Sequence, residues 1–585
     1  MNNANKQGKV LAFVRHFMPG VESFKSYDRS WLRSDLGAGL SVAAIALPVG
    51  IAYADLAGVP AVIGMYSAIF PLLAYALFGS SRQLMTGPDA ATCIIVAASL
   101  GPLAGGDPER YLALMVILTL MTGILYVVAG VSRLGFIANF LSQPILTGYL
   151  NGIALIIIAG QLQKLFGYSG TEEEFFPKLI EFIVQVQDSH LPTLVLGLSL
   201  LIALVILRRV APKLPAALVV VIAGIAAVVM LGLDQSGVAV LGSVPAGLPS
   251  LQIATVDLNT FKTLFADAAG IALVSFTSGV LTAKSFARRN RYAINANQEL
   301  IAFGASNIAS GLAQGFPVTG ADSRTAVNNA MGGKTQLVGI VAAGTMLLIL
   351  FFMTEPLGFV PTAALAAVIM VSAVGLFDFK ELRDLYEISH RELVLSVTTT
   401  LGVLILGVLP GVLLAVALSL FWLLTVVSRP HDGVLGRVKG IKGFHNIADF
   451  PGATTIPGLI LYRFEANLVF FNADYFRDRL RATIAAAETP VEWVVVDASS
   501  INVIDITALQ KIDELREELA AQGIVLNVAR AKRNLMKFFN HDWGVKRREA
   551  YAGHRFDTIK SAVRAFNKRA GKEAAPGADS QNLPR

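Results

Sequence analysis

The stretch LALMVILTLMTGILYVVAG, residues 112–130, contains no charged side chain. A helix over these residues would span about 28 Å, close to the roughly 30 Å thickness of a bilayer core. Comparable apolar stretches recur between residues 35 and 428, and the whole chain has a mean hydropathy of +0.61 with 15% charged residues. These values exclude an ordinary soluble protein and predict a polytopic α-helical membrane protein.

Fourteen hydrophobic segments can be counted, beginning near residues 35, 60, 89, 112, 138, 191, 214, 260, 296, 322, 335, 357, 390 and 410. If the N-terminus is cytoplasmic, the inner loops hold thirteen basic residues and the outer loops hold four, Arg110, Lys164, Lys178 and Lys262. This asymmetry follows the positive-inside rule, so we expect both termini in the cytoplasm. Two sets of seven segments, about residues 35–232 and 258–428, predict an inverted repeat.

The chain is expected to contain two structured domains. Residues 1–34 form a cytoplasmic N-terminal segment before the membrane domain, which occupies residues 35–428. A linker over residues 429–458 leads to a small α/β domain over residues 459–569, where strand-like apolar runs alternate with amphipathic helices. Residues 570–585 are predicted to be a disordered tail because small and polar residues dominate them.

Two similar heptapeptides, TGPDAAT at residues 86–92 and TGADSRT at residues 319–325, begin the third and the tenth segment. Each contains the form T-x-x-D of a capping box and therefore predicts a helix start. The tenth segment is too short to cross a bilayer, and a helix that starts inside the membrane presents unpaired amides and a positive dipole end. Such a terminus is an anion site, and two of them from oppositely oriented repeats can face each other.

Arg324 is the candidate for a fixed positive charge that holds an anion, and Ser323 and Thr325 are candidate hydroxyl donors. Two interpretations stay open for Asp89 and Asp322. They either cap their helices only, or one of them takes up a proton with the substrate, because an ionised carboxylate would repel an anion. Arg324 could likewise pair with Asp322 instead of binding a substrate.

The sequence indicates no cofactor, metal site or enzymatic activity. Its single cysteine, Cys93, excludes a disulfide within the chain and a cysteine-based zinc cluster. No metalloprotease motif, P-loop or nucleophile elbow occurs. The net charge of +7 is spread along the chain rather than gathered with aromatic residues, so we expect no nucleic-acid partner.

Three stretches carry a family resemblance. LPVGIAYADLAGVPAVIGMYSAIFPLLAYALFGSSRQL, residues 47–84, continues into TGPDAA and resembles the signature of the SulP anion transporters, called solute carrier family 26 in animals. NQELIAFGASNIASGLAQGFPVTGADSRTAVNNAMGGKTQL, residues 297–337, is similar to the ninth and tenth helices of that family. VVVDASSINVIDITALQKI, residues 494–512, resembles the central strand and helix of a STAS domain.

The resemblance implies a seven-plus-seven inverted repeat with a core and a gate domain, a homodimer in the lipid bilayer, and an elevator-like movement. It implies an anion held between the third and tenth half-helices. With the chemistry of the residues, it predicts a substrate site composed of Tyr53, Asp89, Ala90, Ala91, Ser323, Arg324 and Thr325. The leading interpretation is a secondary transporter of small anions in the inner (plasma) membrane, most often sulfate in bacterial members, while bicarbonate, chloride and dicarboxylates stay open.

Two positions depart from the family pattern. Many members carry Gln or Glu after the proline of the first helix, where this chain has Val49, and an acid in the eighth helix, where it has Ser278. The resemblance therefore gives no support to sodium-coupled bicarbonate transport, nor to a nucleobase permease that would need the second carboxylate. Proton coupling through Asp89, or through the pair of Asp89 and Asp322, is the alternative hypothesis.

In the STAS-like domain, Thr507 stands where related regulatory domains carry a phosphorylatable serine. It is a candidate phosphorylation site, and the alternative is that it caps the helix after Asp505. A STAS domain is also consistent with a cytoplasmic partner. A membrane-anchored regulatory or scaffold protein is therefore the interpretation from another functional class.

Overall fold

A computed structural model describes residues 18–571 of the chain except 140, 141, 169, 171, 173, 212, 213, 244, 250–256, 534, 536–552 and 570. The chain divides into two compact units, Met1–Ser419 and Leu420–Arg585. The predicted tail 570–585 lies outside the described residues apart from Gly571.

The first unit is built from helices, and the last of them continues across the boundary into the second unit. In chain order they are α1 Pro19–Lys25, α2 Leu32–Leu56, α3 Ala61–Phe78, α4 Ala90–Ala104, α5 Pro108–Val131, α6 Gln143–Phe166, α7 Phe175–Gln185, α8 Leu191–Val210, α9 Ala216–Leu231, α10 Leu258–Arg289, α11 Ala296–Leu312, α12 Asp322–Ala330, α13 Leu337–Phe352, α14 Thr354–Leu357, α15 Thr362–Val374, α16 Phe379–Ile388, α17 His390–Leu406 and α18 Val408–Ser428.

Each of the fourteen predicted hydrophobic segments falls on one of these helices. Within the described residues, seven helical stretches are long and apolar enough to cross a membrane: Arg29–Leu56, Ala61–Phe78, Pro108–Val131, Gln143–Phe166, Leu191–Val210, Leu258–Arg289 and Thr362–Ile388. The polytopic membrane fold is therefore confirmed, whereas the count of fourteen crossings stays a prediction. The short helix α7 was not predicted, because its amphipathic sequence FFPKLIEFIVQ lacks a long apolar run and buries none of its residues.

The helices of the first unit form two bundles. In one, α11 packs against α5 and α3, α13 packs against α2 and α3, and α10 packs against α5. In the other, α6 packs against α17 and α15, and α15 packs against α8. Glycines permit the close approaches, since a Cβ added at Gly148 of α6 would lie 2.1 Å from the carbonyl oxygen of Ser396 in α17. These bundles match the predicted core and gate domains.

The two half-helices of the first unit begin side by side. At 1.5 Å per residue, α4 and α12 extend about 22 Å and about 14 Å, so neither covers a bilayer core. The strands that precede them, β1 Thr86–Gly87 and β2 Thr319–Gly320, pair antiparallel, with Thr86 opposite Gly320 and Gly87 opposite Thr319. The two heptapeptides therefore lie next to each other in the fold, as predicted.

The described residues of the second unit form the strands β3 Asp432–Gly436, β4 His445–Asn446, β5 Leu459–Phe464, β6 Trp493–Asp497, β7 Val525–Ala529 and β8 Arg555–Phe556, and the helices α19 Ala473–Ala485, α20 Ile506–Ala521 and α21 Ile559–Arg569. These six strands make one sheet in the order β4-β3-β5-β6-β7-β8. Strands β5 to β8 are parallel. The predicted linker over residues 429–458 is wrong in part, because β3 and β4 lie within it, pair with each other and join the sheet through the antiparallel pairing of β3 with β5.

A buried carboxylate closes the carboxyl end of β6. Asp497 accepts hydrogen bonds from the Nε atoms of Arg463 and Arg530, each at 2.8 Å. Burial alone would raise the pKa of Asp497, but the two guanidinium groups hold that pKa below its ordinary value. Because the pKa is lowered in the folded chain, this cluster stabilises the domain above the ordinary pKa of aspartate and less so as the pH falls.

Candidate functional site

The first half-helix starts at Asp89. This residue has extended backbone angles (φ −135°, ψ 140°) and serves as the N-cap of α4, since its carboxylate accepts a hydrogen bond from the amide of Thr92 at 3.5 Å. Ala90 and Ala91, the buried first residues of α4, are only 2% and 5% exposed. Their small side chains leave the amide end of the helix accessible at close range.

The second half-helix starts differently. Asp322 is the first residue of α12, and no side chain caps this helix. The Asp322 carboxylate instead accepts a hydrogen bond from the hydroxyl of Thr282 in α10. The prediction of two helix starts is correct, but the capping-box detail is wrong, because strand pairing holds Thr86 and Thr319 in β1 and β2.

Arg324 connects the two half-helices. Its side chain is only 1% exposed, and Nη2 donates to the carbonyl oxygen of Pro88, the residue before Asp89. Its Nε and Nη1 are buried and make no hydrogen bond with the described residues. Gly87, with φ +149°, permits this approach, because a Cβ there would lie 2.5 Å from Nη1. Within the described residues Arg324 forms no ion pair with Asp322, so that alternative is not supported.

The charged residues of the predicted site share one neighbourhood. Asp89 has both Asp322 and Arg324 as electrostatic neighbours. Tyr53 of α2, which is 8% exposed, has Asp89 and Arg324 as neighbours, with the hydroxyl of Ser372 from α15 beside its own. The structure therefore brings one guanidinium, two carboxylates and one phenol to the paired helix starts.

The two predicted hydroxyl donors have different surroundings. Ser323 is exposed, as Asp322 is, and is therefore reachable from solvent. Thr325 is fully buried, and its hydroxyl accepts from the amide of Met85 at 3.0 Å and donates to the carbonyl oxygen of Ala321 at 2.7 Å. The prediction of Thr325 as a substrate ligand is wrong, because its hydroxyl is committed to the backbone that joins the two helix starts.

Three residues of α10 support the site and were not predicted. The hydroxyl of Ser275 lies 2.9 Å from that of Thr92, and its carbonyl oxygen accepts from Thr319 Oγ1 at 2.6 Å. A Cβ added at Gly279 would lie 2.9 Å from Thr319 Oγ1, so glycine lets α10 pass close to β2. Thr282 is the third residue, and its hydroxyl donates a hydrogen bond to the carboxylate of Asp322. The spacing of these small residues by three or four positions could have indicated a close helix contact.

In the part of the chain that the structure describes, no three His, Cys, Asp or Glu side chains are grouped to hold a metal ion. Cys93 is a free and buried thiol next to the start of α4.

The predicted phosphorylation site is accessible in the second unit. Thr507 is exposed in the first turn of α20, whose N-cap is Asp505, with Oδ1 accepting from the amide of Ala508 at 2.8 Å. The interpretation of Thr507 as the cap is therefore wrong. Exposed apolar side chains lie nearby, since Phe470 is 65% exposed and its amide donates to Asp505 at 2.7 Å, while Ile506 is 52% exposed.

Comparison with known proteins gives relatives along nearly the whole chain. It is 44% identical over 551 residues to a probable sulfate transporter of Mycobacterium tuberculosis, covering 94% of this chain and 98% of that protein. It is 30% identical over 547 residues to the chloroplastic sulfate transporter 4.1 of Arabidopsis thaliana, covering 91% and 80%.

Solved structures share the fold at lower identity. SLC26A9 superposes with a TM-score of 0.89 at 21% identity, covering 97% of this chain and 95% of that chain. The transmembrane domain of the cyanobacterial bicarbonate transporter BicA gives a TM-score of 0.59 at 24% identity, covering 66% and 98%. The STAS domain family matches residues 451–541. Since the Sulfate permease family matches residues 32–399, the chain belongs to that family of multi-pass membrane transporters and carries a C-terminal STAS domain.

Proposed function

We propose that this protein is a secondary active transporter of small inorganic anions, with sulfate as its principal substrate. The observation that carries the proposal is the antiparallel pairing of β1 and β2, which joins two helix N-termini at the buried guanidinium of Arg324. Backbone dipoles and a guanidinium with two donors that have no partner among the described residues suit an oxyanion with several acceptor oxygens. The sulfate transporters among its relatives support this choice of anion.

The proposal includes proton coupling. Asp322 lies within electrostatic reach of Asp89, so a dianion would meet two carboxylates beside one guanidinium. Protonation of Asp89, or of one member of the pair, removes one repulsive charge when the anion binds. The proton and the anion would then move together.

The transport movement is proposed as an elevator-like displacement of one bundle against the other, with the half-helices carried together. The proposal locates the protein in the plasma membrane with both termini in the cytoplasm, because the distribution of basic residues favours this orientation. The same proposal includes a homodimer, which the resemblance implies. It also includes a cytoplasmic protein that contacts the exposed apolar residues near Thr507.

Competition between anions tests the substrate. The purified protein is reconstituted in proteoliposomes, and uptake of labelled sulfate is measured against unlabelled sulfate, bicarbonate, chloride, nitrate and a dicarboxylate at two pH values. We expect unlabelled sulfate to compete best and uptake to rise as the external pH falls. Stronger competition by another anion would reassign the substrate, and absence of uptake would favour a scaffold protein.

An ion pair links the two bundles and gives a test of the movement. Nζ of Lys164 in α6 lies 2.5 Å from Oδ2 of Asp55, which follows Tyr53 by two residues in α2. The side chains are 36% and 27% exposed, so the pair contributes less than about 1 kcal/mol. Asp55→Asn or Lys164→Gln should shift the balance between inward-open and outward-open states by at most about five-fold.

The accessibility of the site from each side of the membrane measures the shift between the inward-open and outward-open states. Ser323→Cys in a Cys93→Ala background supplies one thiol at the site, which is labelled from each side of the membrane with an impermeant reagent. The two labelling rates should change in opposite directions in Asp55→Asn, and the charge-swapped pair D55K/K164D should restore the original ratio. Identical ratios in all variants would show that this pair does not bias the movement.

A further inference from the structure

The charged side chains of the site carry no excess of positive charge. Asp89, Asp322 and Arg324 carry a net charge of −1 when both carboxylates are ionised, and zero when one of them holds a proton. The dipoles of the two helix starts attract an anion only within about the first turn, so a dianion gains no long-range attraction from the site. A further cation near the site would change this balance.

Arg208 occupies the last turn of α8, in the bundle opposite the half-helices. The buried residues of α8 recur at intervals of one, three or four positions, namely Thr193, Leu196, Gly197, Leu200 and Leu204. Arg208 follows Leu204 by four positions and so continues this face, which turns towards the interior of the protein. Arg209 is rotated by about 100° around the helix and leaves that face.

The register between α8 and α15 places Arg208 at about the level of Ser372. A Cβ added at Gly197 would lie 3.2 Å from the Cβ of Ala363 in α15. The two helices are the sixth and twelfth segments in the predicted order, and this order gives them the same direction across the membrane. Measured along the helix axes, Ser372 then lies about 14 Å beyond this contact and Arg208 about 17 Å beyond it. The two residues are therefore at similar depths in the membrane domain. Ser372 is the residue of α15 whose hydroxyl lies beside that of Tyr53.

The electrostatic surroundings of Arg208 agree with this placement. Tyr53 is an electrostatic neighbour of Arg208, and it is also an electrostatic neighbour of Arg324. Arg208 is exposed and forms no ion pair with an acidic residue in the described part of the chain. Its charge is therefore not neutralised by an acidic side chain in that part of the chain and is available to attract an anion.

We propose that Arg208 is a second anion-attracting residue of the transport path, which draws the substrate towards Tyr53 before it contacts Arg324. This inference rests on the proposed function and extends it to the other bundle. It accounts for the binding of a dianion at a site that contains two carboxylates. Because the attraction acts at long range through solvent, it should affect the apparent affinity and its dependence on salt more than the maximal rate.

The test is a kinetic comparison of Arg208→Gln with its neighbour Arg209→Gln in proteoliposomes. Initial uptake rates are measured over a range of concentrations of whichever anion the wild type transports best, so that the test holds even if sulfate is not the substrate. Gluconate salt changes the ionic strength from about 0.01 M to about 1 M, which shortens the Debye length from roughly 30 Å to roughly 3 Å.

At low salt we expect Arg208→Gln to raise KM on the order of four-fold for a dianion, with the maximal rate within about two-fold of wild type. The difference should vanish at high salt. Arg208→Lys keeps the charge and should stay within about two-fold of the wild-type KM, which separates loss of charge from loss of packing. Arg209→Gln, on the other face of the helix, should behave like wild type.

Two results would overturn the proposal. One is a KM of Arg208→Gln that equals the wild-type KM at low salt. The other is an equal rise of KM in Arg208→Gln and Arg209→Gln, which would assign the effect to the general surface charge at this end of α8. Failure of the wild type to transport sulfate would count against the proposed function alone.

Discussion

Replacing Arg324 with glutamine should reduce sulfate uptake by on the order of 100-fold or more. At the paired helix starts, the buried Nε and Nη1 of Arg324 are fixed donors that form no hydrogen bond within the part of the chain that the structure describes. Each charge-assisted hydrogen bond contributes about 1.5 to 3 kcal/mol, so the loss of two of them lowers anion binding by at least two orders of magnitude. Initial uptake rates and equilibrium binding of labelled sulfate to the purified protein measure the effect.

Two further variants separate recognition of the anion from general charge. Arg324→Lys keeps the charge but loses the planar fork, and it should recover only part of the uptake. Arg288→Gln removes an exposed basic residue at the end of α10 and should leave uptake near the wild-type rate. Uptake by Arg324→Gln comparable to wild type would exclude Arg324 as the anion ligand.

Asp89→Asn should abolish the pH dependence of uptake while sulfate binding is retained. Asparagine caps a helix as well as aspartate does, so the hydrogen bond from the Thr92 amide and the start of α4 are preserved. Only the ionisable proton is lost. Wild-type uptake should rise as the external pH falls, because the site that accepts the anion is the one with a protonated carboxylate, whereas uptake by the variant should be flat over the same range.

Asp322→Asn distinguishes a single proton site from a shared one. Its side-chain oxygen can still accept from Thr282, so the packing against α10 is maintained. If the two carboxylates share one proton, this variant should also lose its pH dependence. Unchanged pH dependence in the Asp89→Asn and Asp322→Asn double variant would remove both residues from proton coupling.

Those parts of the fold that depend on hydrophobic length and repeated motifs could be predicted from the sequence. The apolar runs identified the membrane helices, and the two heptapeptides identified the half-helix starts, because both features are local in the chain. The position of Arg324 against Pro88 could not be predicted, since it depends on the pairing of β1 with β2 across more than two hundred residues.

The errors have a common physical origin. The residue type of Thr325 suits an anion, but tertiary contacts commit its hydroxyl to the backbone at Met85 and Ala321. Ser275 and Thr282 were overlooked because an isolated hydroxyl in an apolar segment does not reveal which helix it faces. The linker was assigned over residues 429–458 because a five-residue strand such as β3 is recognised only through its partner β5.

The register of β1 against β2 is set by main-chain groups, which every residue except proline possesses in the same form. The positions at the helix starts, Ala90 and Ala91 after β1 and Ser323 and Arg324 after β2, lie outside the paired strands and can therefore vary without disturbing that register. Descendants of a common ancestor could thus exchange one cargo for another through a few substitutions at the helix starts. A duplicated gene that keeps its scaffold and alters only these positions offers a short evolutionary path to a new specificity.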